Sequence, residues 1–247
     1  NGVVLITTKK GKSNKLNLRM NVKQGMYTRA IPQYDKLGAK DWMEAMLQGW
    51  SSFYQKDAGL APADALVAAA STLNSSVVRT KIFDKNGADM FDANGKLVAN
   101  ILPGYSDLDW TDALQRTGYR QEYGVSADAA GEKYDVFASF GYLNEKGYII
   151  ASDFDRLTAR LNANFRPTKW LTTGVTLSGT SSVSNFQGQA SSSYYANPFY
   201  TGDMMAPVYP YYEHNEDGSI VTDENGAPVY DINNYDYLSG RNILYEL

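Results

Sequence analysis

Residue types that commonly do chemistry are sparse in this sequence. The chain has a single histidine, His214 in the stretch YYEHNEDGS, and no cysteine. A metal site needs several ligands close together, so His214 alone is predicted to be a solvated loop residue. No nucleophile elbow, phosphate-binding glycine loop or paired-histidine motif occurs in the sequence. The sequence therefore predicts no enzyme, no bound metal and no cofactor.

Three acidic segments resemble the start of a calcium-binding loop: DKNG at 84–87, DANG at 92–95 and DENG at 223–226. None continues with the ligand series that ends in a bidentate glutamate, so hairpin turns are the better prediction. Carboxylates are plentiful elsewhere, but nothing in the sequence marks two of them as the converging pair of a glycosidase.

An aromatic cluster near the C-terminal end is the most suggestive binding feature. Its members are Tyr194, Tyr195, Phe199, Tyr200, Tyr209, Tyr211 and Tyr212. Such side chains could stack on sugar rings or pack against another protein. A loop that folds over its own small core would explain them equally well, and both interpretations stay open.

The composition indicates an all-β chain that would hold these residues on strands and loops. The 247 residues include 19 Tyr and 21 Gly, and 43% of them are hydrophobic. The net charge of −4 is spread out, and without a basic stripe it argues against nucleic-acid binding. No apolar run approaches the ~18–20 residues that a membrane-spanning helix needs, which excludes a helical membrane protein.

Five segments alternate between apolar and polar residues with the period of a β-strand: 15–26, 119–129, 134–142, 155–166 and 171–178. In the fourth, Leu157, Ala159 and Leu161 alternate with Arg156, Thr158 and Arg160. Gln24 and Phe137 interrupt the pattern. The polar face includes Arg19, Asn21, Lys23, Arg156, Arg160, Asn162 and Asn164.

The connections between these strands are uneven in length. Tight reversals are predicted at 129–133 and 166–169, whereas the links at about 30–117 and beyond 181 are far longer than ordinary loops. Short turns at one end and long loops at the other are typical of outer-membrane barrels, and the Gly, Ser, Asn, Arg and Asp of the polar face suit a wet lumen. A soluble β-sandwich also alternates, so the pattern favours the barrel without excluding the sandwich.

Several motifs, in the same order, resemble the SusC/RagA family of TonB-dependent outer-membrane transporters. The opening NGVVLITTKKGK resembles the last strand of that family's plug domain and its exit into the barrel. The block 107–179 resembles early barrel strands and includes DW before one strand and GYLNEKGYI leading to SDFDR. MAPVYP at 205–210, followed by DENGAPVYD, resembles an external loop further on.

The resemblance implies an all-β fold that is part of a transmembrane antiparallel β-barrel, with the last strand of a plug domain. Residues 1–12 would end the plug, and residues 13–247 would form about five strands of a barrel of about 22. The loops at about 30–117 and 181–247 would be extracellular, and the turns at Gly131 and Pro167 periplasmic. The sequence would then be a piece of a larger transporter.

The resemblance also implies a function and partners. In this family a SusD-like surface lipoprotein caps the barrel as a lid, and the pair captures an oligosaccharide or peptide. The TonB complex then drives import, through a segment that is N-terminal to the plug. The expected location is the outer membrane of a Gram-negative, Bacteroidetes-like bacterium. The aromatic cluster would be a substrate or lid contact, and the seven polar-face residues would face the lumen.

The first long loop carries helical patterns. Asp41 and Glu44 have the spacing of a capping box, and Trp42, Met46, Trp50 and Phe53 share one helical face that is expected to pack rather than to bind. A second helix is predicted after Pro62. The competing hypothesis for the whole chain is a secreted β-sandwich that binds glycans through its tyrosines.

Overall fold

The computed structural model describes residues 2–3, 9–11, 14–78, 80–185, 197–232 and 242–247. The chain divides into two compact units. The first consists of Asn1–Ala30 and Arg116–Gln187, and the second of Ile31–Gln115 and Gly188–Leu247. The second unit thus combines the two segments that the sequence assigns to long loops. Tyr194 and Tyr195 of the aromatic cluster lie outside the described residues, as does most of the predicted plug strand.

The first unit contains one antiparallel sheet of five strands in sequence order. The strands are β1 (Asn17–Tyr27), β2 (Gly118–Ala130), β3 (Tyr134–Lys146), β4 (Asp153–Thr168) and β5 (Leu171–Asn185). This confirms the five predicted strands and their antiparallel pairing. Among the described residues β1 and β5 each pair on one side, so the sheet is open in this chain.

The strands are longer than the alternating pattern alone predicts. β3 continues to Lys146, and β4 already begins at Asp153. The connection between them is therefore only residues 147–152, and it is short like the turns at the other end of the strands. Pro167 lies inside β4 rather than in the following turn, at the register irregularity between Phe165 and Thr168. A proline cannot donate a ladder hydrogen bond, and a bulge is one of the few places in a strand that tolerates it.

The two residues that interrupt the alternation have structural explanations. Gln24 lies on the apolar face of β1, where its amide donates to the Tyr123 hydroxyl at 3.0 Å. Phe137 lies on the polar face of β3 but is only 6% exposed. The polar face therefore includes one buried aromatic ring.

The second unit is built from one 19-residue helix, shorter helices and irregular segments. Its helices are α1 (Ala39–Asp57), α2 (Pro62–Thr72), α3 (Trp110–Ala113), α4 (Pro198–Met204) and α5 (Ile243–Glu246), with a π-helical turn at Leu73–Val77 and a 3₁₀ turn at Gly87–Met90. Both predicted helices of the first long segment are confirmed. The predicted capping box is wrong, because α1 begins after Gly38, which has no side chain to cap it.

Helix α1 buries a different face from the one predicted. Its buried residues are Ala39, Met43, Glu44, Leu47 and Ser51. Met43 and Leu47 belong to a core with Ala65, Ala69 and Leu73 of the following segment. The predicted aromatic stripe runs beside this face, and Phe53 at its end is 48% exposed. Met43 and Leu47, each one residue after a member of the stripe, are smaller than tryptophan and so fit better between the closely packed helices α1 and α2.

Buried Glu44 links α1 to the hairpin that follows. Its carboxylate accepts from the Lys96 ammonium at 2.7 Å and from the Leu97 backbone N–H at 3.1 Å. These hydrogen bonds, that from Lys96 first, hold the pKa of Glu44 below its usual range. Glu44 therefore remains charged and connects two segments that are about fifty residues apart in the sequence.

Two of the three calcium-like segments form tight turns, as predicted. Asp92 accepts from the N–H groups of Asn94 and Lys96, and Asp223 accepts from those of Asn225 and Ala227. In both turns the carboxylate completes the backbone of the hairpin, which is the usual role of aspartate in such loops. Asp84 instead accepts from the backbone and side-chain amides of Asn100, 16 residues further on.

Within the described residues no group of three or more His, Cys, Asp and Glu side chains has an arrangement that could bind a metal ion. Across the same residues, none of the helices is both long enough and apolar enough to cross a membrane.

Candidate functional site

The polar face of the sheet brings together all seven polar residues singled out from the sequence. Residues that are paired across successive strands form rows over the sheet. One row consists of Arg19, Ser126, Ser139 and Arg160, and another of Lys23, Glu122, Leu143 and Arg156. Asn21 lies on the same face because it is two residues from Arg19 in β1. Asn162 and Asn164 do so because they are two and four residues from Arg160 in β4. Whether this face lines a barrel lumen remains a prediction.

Acidic residues on this face are held by basic or amide partners. Arg19 donates to Asp128 at 2.8 Å, and Asp128 is only 5% exposed. Asp135, also buried, accepts from Asn164 at 2.7 Å and from Arg166. Glu122 and Glu145 at the other end of the strands both pair with Arg120 at 3.1 Å. The carboxylates are thus matched within the sheet.

Residues 9–11, which precede β1, lie against this polar face. The Asn162 side-chain amide donates to the Lys9 carbonyl at 2.9 Å, and its own oxygen is buried without a partner among the described residues. A Cβ built on Gly11 would lie 2.1 Å from the Ala129 carbonyl oxygen and 2.9 Å from that of Val136. Only glycine can approach the backbone of β2 and β3 this closely.

A cavity of about 600 Å³ opens on the same face. Its polar and charged lining residues are Lys9, Arg19, Asn21, Ser126, Ser139 and Arg160, and buried Phe137 contributes an aromatic wall. No Asp or Glu belongs to its described lining. The cavity is therefore basic.

The opposite face of the sheet is apolar and exposed. Large side chains with 38–80% of their surface exposed follow one another along it: Leu18, Met20, Val22, Met26, Val125, Tyr134, Phe140, Tyr142, Leu157, Phe165, Leu171, Val175, Leu177 and Val183. All five described strands belong to one sheet, so no second described sheet covers this surface. An apolar surface of this extent normally faces another molecule or a membrane.

The aromatic cluster of the second unit has both buried and exposed members. Tyr209 is 7% exposed, and its hydroxyl donates to the Val77 carbonyl at 2.8 Å. Tyr211 and Tyr212 are half-buried and pack edge to face at 4.8 Å, and the Tyr211 ring also meets Trp110 at 5.6 Å. Among the described members, Phe199, 46% exposed, is the one most accessible to another molecule. The arrangement of the three later tyrosines fits the loop with its own core.

The predicted solvated histidine is instead buried. His214 has a fully buried side chain, stacked on Tyr105 with ring centroids 3.9 Å apart. Its Nε2 lies 2.9 Å from the Asp107 carboxylate and its Nδ1 2.8 Å from the Gly218 carbonyl. Both nitrogens are thus engaged, so His214 is a structural residue that is not free to ligate a metal.

Asp107 is the centre of this buried cluster. It is 1% exposed, and its second oxygen accepts from the Tyr212 N–H at 2.8 Å. Burial, followed by the negative charge of Asp107, raises the pKa of Tyr105 and that of Tyr211 to about 12. Both phenols are therefore neutral at physiological pH and act here as packing groups, and the Tyr105 hydroxyl also donates to the Lys81 carbonyl at 3.1 Å.

A second cavity, of about 710 Å³, lies within the second unit. Trp42, Leu108, Met204 and Pro207 provide apolar lining, and Asp203 lies at its edge beside Lys36 at 3.5 Å. Its volume falls in the range of small-molecule sites. The sequence analysis placed Trp42 only in a packing stripe, and the other lining residues come from segments that no local pattern connects.

Several residues that build these sites were missed from the sequence. Asp107 and Gly11 carry no signal that separates them from other Asp and Gly residues. Asn242, 1% exposed, was also missed; its amide donates to the Tyr211 and Asp231 carbonyls at 2.8 and 3.0 Å. Phe137 did give a signal, because it was the one aromatic residue on the polar side of the five predicted strand segments.

Comparison with known proteins gives one curated relative and several solved structures. A TonB-dependent receptor, P39, from Formosa agariphila is 28% identical over 90 residues, which are 36% of this chain and 9% of the relative. No protein-family model matches the chain. The similarity covers a small part of a much longer protein.

The solved structures are components of the RagAB system. A structure of the RagAB peptide importer in the closed-closed state has a TM-score of 0.50 and 21% identity, and covers 91% of this chain and 23% of that one. A structure of the RagAB peptide transporter has a TM-score of 0.48 and 21% identity, over 72% of this chain and 19% of that one. At this identity the likeness concerns the fold alone.

The open antiparallel sheet, its two contrasting faces and the sequence similarity to a TonB-dependent receptor agree with the motifs. As those motifs predicted, the chain is similar in sequence to part of a TonB-dependent receptor and in fold to part of the RagAB importer.

Proposed function

We propose that this chain forms part of the wall and the loops of an outer-membrane transporter. The apolar face of the sheet would contact lipid, and the polar face would line the lumen with Arg19, Asn21, Lys23, Arg156, Arg160, Asn162 and Asn164. The observation that carries this proposal is the contrast between the two faces. One is apolar and exposed over all five strands, whereas the other holds paired charges.

Strand length supports a membrane-spanning role. The strands have 11 to 16 residues, and a tilted transmembrane strand needs about 9–11. Tyr134 and Tyr142 lie on the apolar face eight residues apart, or ~26 Å along the strand. At a tilt of ~40° this covers ~20 Å, close to the aromatic girdles that border the ~25 Å apolar band of a barrel.

The proposed activity is energised import rather than catalysis. The name of the Formosa agariphila relative indicates dependence on TonB, and the RagAB structures are described as a peptide importer. These names favour a peptide as the cargo, with an oligosaccharide as the alternative. A SusD-like surface lipoprotein is the proposed partner, and the proposed location is the outer membrane of a Gram-negative, Bacteroidetes-like bacterium.

The assignment of segments follows from this proposal. Residues 1–12 would end the plug, and the loops at about 30–117 and 181–247 would be extracellular. Phe199 and Tyr200, with Tyr194 and Tyr195, would contact the substrate or the lid. Tyr209, Tyr211 and Tyr212 would stabilise the loop that presents them, since their rings pack within the second unit.

Cysteine labelling in intact membranes tests which face meets lipid. The chain contributes no cysteine of its own, so single cysteines can be placed at neighbouring positions on opposite faces. Met20→Cys and Val175→Cys report on the apolar face, and Asn21→Cys and Thr176→Cys are their matched controls. We expect the first pair to react with a lipid-soluble maleimide and resist a charged one, and the second pair to react with the charged reagent if the lumen is wet.

Two results would contradict the proposal. If Met20→Cys and Val175→Cys react with the charged maleimide as fast as the controls, the apolar face is in water. If the protein is recovered without detergent and the apolar-face cysteines resist both reagents, a second protein layer covers the face. The second result would favour the secreted β-sandwich.

A further inference from the structure

The basic cavity on the polar face has a composition that selects a ligand. Lys9, Arg19 and Arg160 line it together with Ser126 and Ser139, and its described lining contains no carboxylate. We infer that this cavity binds a carboxylate group that is supplied from outside the described residues. The source of this carboxylate, within a plugged lumen or in the cargo, rests on the proposed function.

The charges of the sheet support this inference because they are not balanced at this point. Asp128 neutralises Arg19, and Asp135 is held by Arg166. The carboxylates at the far end of β2 and β3 pair with Lys23 and Arg120. Every acidic side chain on the polar face of the described strands therefore has a partner already. None remains for Arg160 and Lys9, the other two cations of the cavity.

Arg160 is the clearest unmatched cation. It is exposed in this chain, and no hydrogen bond or ion pair joins its guanidinium group to any other described residue. Lys9 is likewise exposed, and its backbone carbonyl, rather than its ammonium, is the group bound by Asn162. In a closed lumen two such cations would lose water and repel each other unless an anion lies between them.

The remaining lining suits a carboxylate in particular. An arginine guanidinium offers two parallel N–H donors to the two oxygens of a carboxylate, and the Ser126 and Ser139 hydroxyls can donate as well. Phe137, 6% exposed, limits access of water from one side and so strengthens such a bond. The pair Arg160 and Ser139 lies in one register row, which places donors side by side.

Two sources can supply the carboxylate. One is an Asp or Glu of the rest of the same polypeptide, where a plug domain fills the lumen. The other is the imported molecule, if it is a peptide with an acidic side chain. The chemistry of the site is the same in both cases, and only the occupancy in the absence of cargo differs.

Arginine modification in the whole transporter, purified in detergent, tests the inference. Phenylglyoxal modification of Arg160 is followed by mass spectrometry, with Arg156 as the matched control on the same strand and face. Arg156 is exposed, lies over the Phe154 ring at 5.8 Å and does not line the cavity. A charge-assisted bond predicts that Arg160 reacts about tenfold or more slowly than Arg156 when the site is occupied.

The outcomes separate the sources. Protection of Arg160 in cargo-free protein, relieved by high salt, assigns the carboxylate to the same polypeptide. Protection only after addition of acetyl-aspartate amide, and not of neutral acetyl-asparagine amide, assigns it to the imported molecule. Equal modification of Arg160 and Arg156 in cargo-free protein and with both additives overturns the inference.

A matched pair of variants gives an independent readout. If the same polypeptide supplies the carboxylate, Arg160→Gln lowers the thermal midpoint by at least ~2 °C more than Arg156→Gln does. The two variants have equal midpoints without cargo if the imported molecule supplies it. Failure of the proposed function is recognised separately, because a protein recovered without detergent refutes the transporter while leaving the Arg160 protection measurable.

Discussion

Substitution of Asp107 by alanine should open the hairpin that carries His214 without unfolding the sheet. Asp107 is 1% exposed, and its two oxygens hold the Tyr212 N–H and the His214 ring at 2.8 and 2.9 Å. Its removal leaves two buried polar groups without this partner. Each orphaned group costs about 1–3 kcal/mol, so a loss of about 3 kcal/mol is expected for the two together.

Native-state hydrogen exchange measures this effect in the whole protein. The N–H of Asn215 donates to the Ser219 carbonyl and that of Val221 to the Glu213 carbonyl, so both report on the hairpin. A loss of about 3 kcal/mol corresponds to roughly a hundredfold faster exchange when exchange occurs by local opening. We therefore expect protection of these two amides to fall by about that factor in Asp107→Ala.

Asp217→Ala is the matched control for this experiment. Asp217 is exposed in the same hairpin and accepts from the Ser219 N–H and hydroxyl at 2.9 and 2.6 Å. Loss of an exposed turn contact should change the exchange of the same amides by less than about tenfold. The reasoning is refuted if Asp107→Ala has no larger effect than Asp217→Ala, since the buried cluster would then not stabilise the loop.

Three further predictions concern other parts of the chain. Gly11→Ala should reduce the yield of folded transporter because its Cβ would overlap backbone atoms of β2 and β3, whereas Gly25→Ala, with open space around it, should not; equal yields would show that the N-terminal segment does not pack there. Glu44 has a lowered pKa, so its contribution to stability is complete above about pH 4.5 and declines as the pH falls through the folded-state value. The protection of the amides in the hairpin at 91–97, relative to their intrinsic exchange rates at each pH, should therefore fall in acid, and an identical pH profile of protection in Glu44→Gln would contradict this cause. Trp110→Phe removes the indole N–H that donates to the Tyr209 carbonyl, and it should destabilise the second unit by about 1–3 kcal/mol. Amide exchange in the second unit should then be faster than in the wild type, and unchanged exchange would disprove this role.

The sheet could be predicted from the sequence because its determinant is local. Alternation over ten residues fixes a strand and both of its faces, so Arg19 and Arg160 could be placed on one surface before their register was known. The strand ends were missed because polar residues such as Asn144 and Asp153 extend β3 and β4 through ladder pairing that hydropathy does not reveal.

The sites were less predictable because they join distant residues. Asp107 and His214 are 107 positions apart, and nothing near either one marks the pair. The tight approach of Gly11 to β2 and β3 likewise depends on a surface more than a hundred residues further along the chain. The expectation of a solvated His214 failed for this reason, since it considered only the polar neighbours of His214 in the sequence.

The uneven connections of the sheet also have a kinetic consequence. Three residues separate β2 from β3, whereas residues 28–117 separate β1 from β2, so closing the longer link costs about 3 kcal/mol more chain entropy. We expect β2 to β5 to assemble first as a meander and β1 to join later, which pulse-labelled exchange during refolding would detect as late protection of Asn17–Tyr27. Until β1 joins, the free edge of β2 stays open to other strands, and in this interval the chain is most exposed to misassembly.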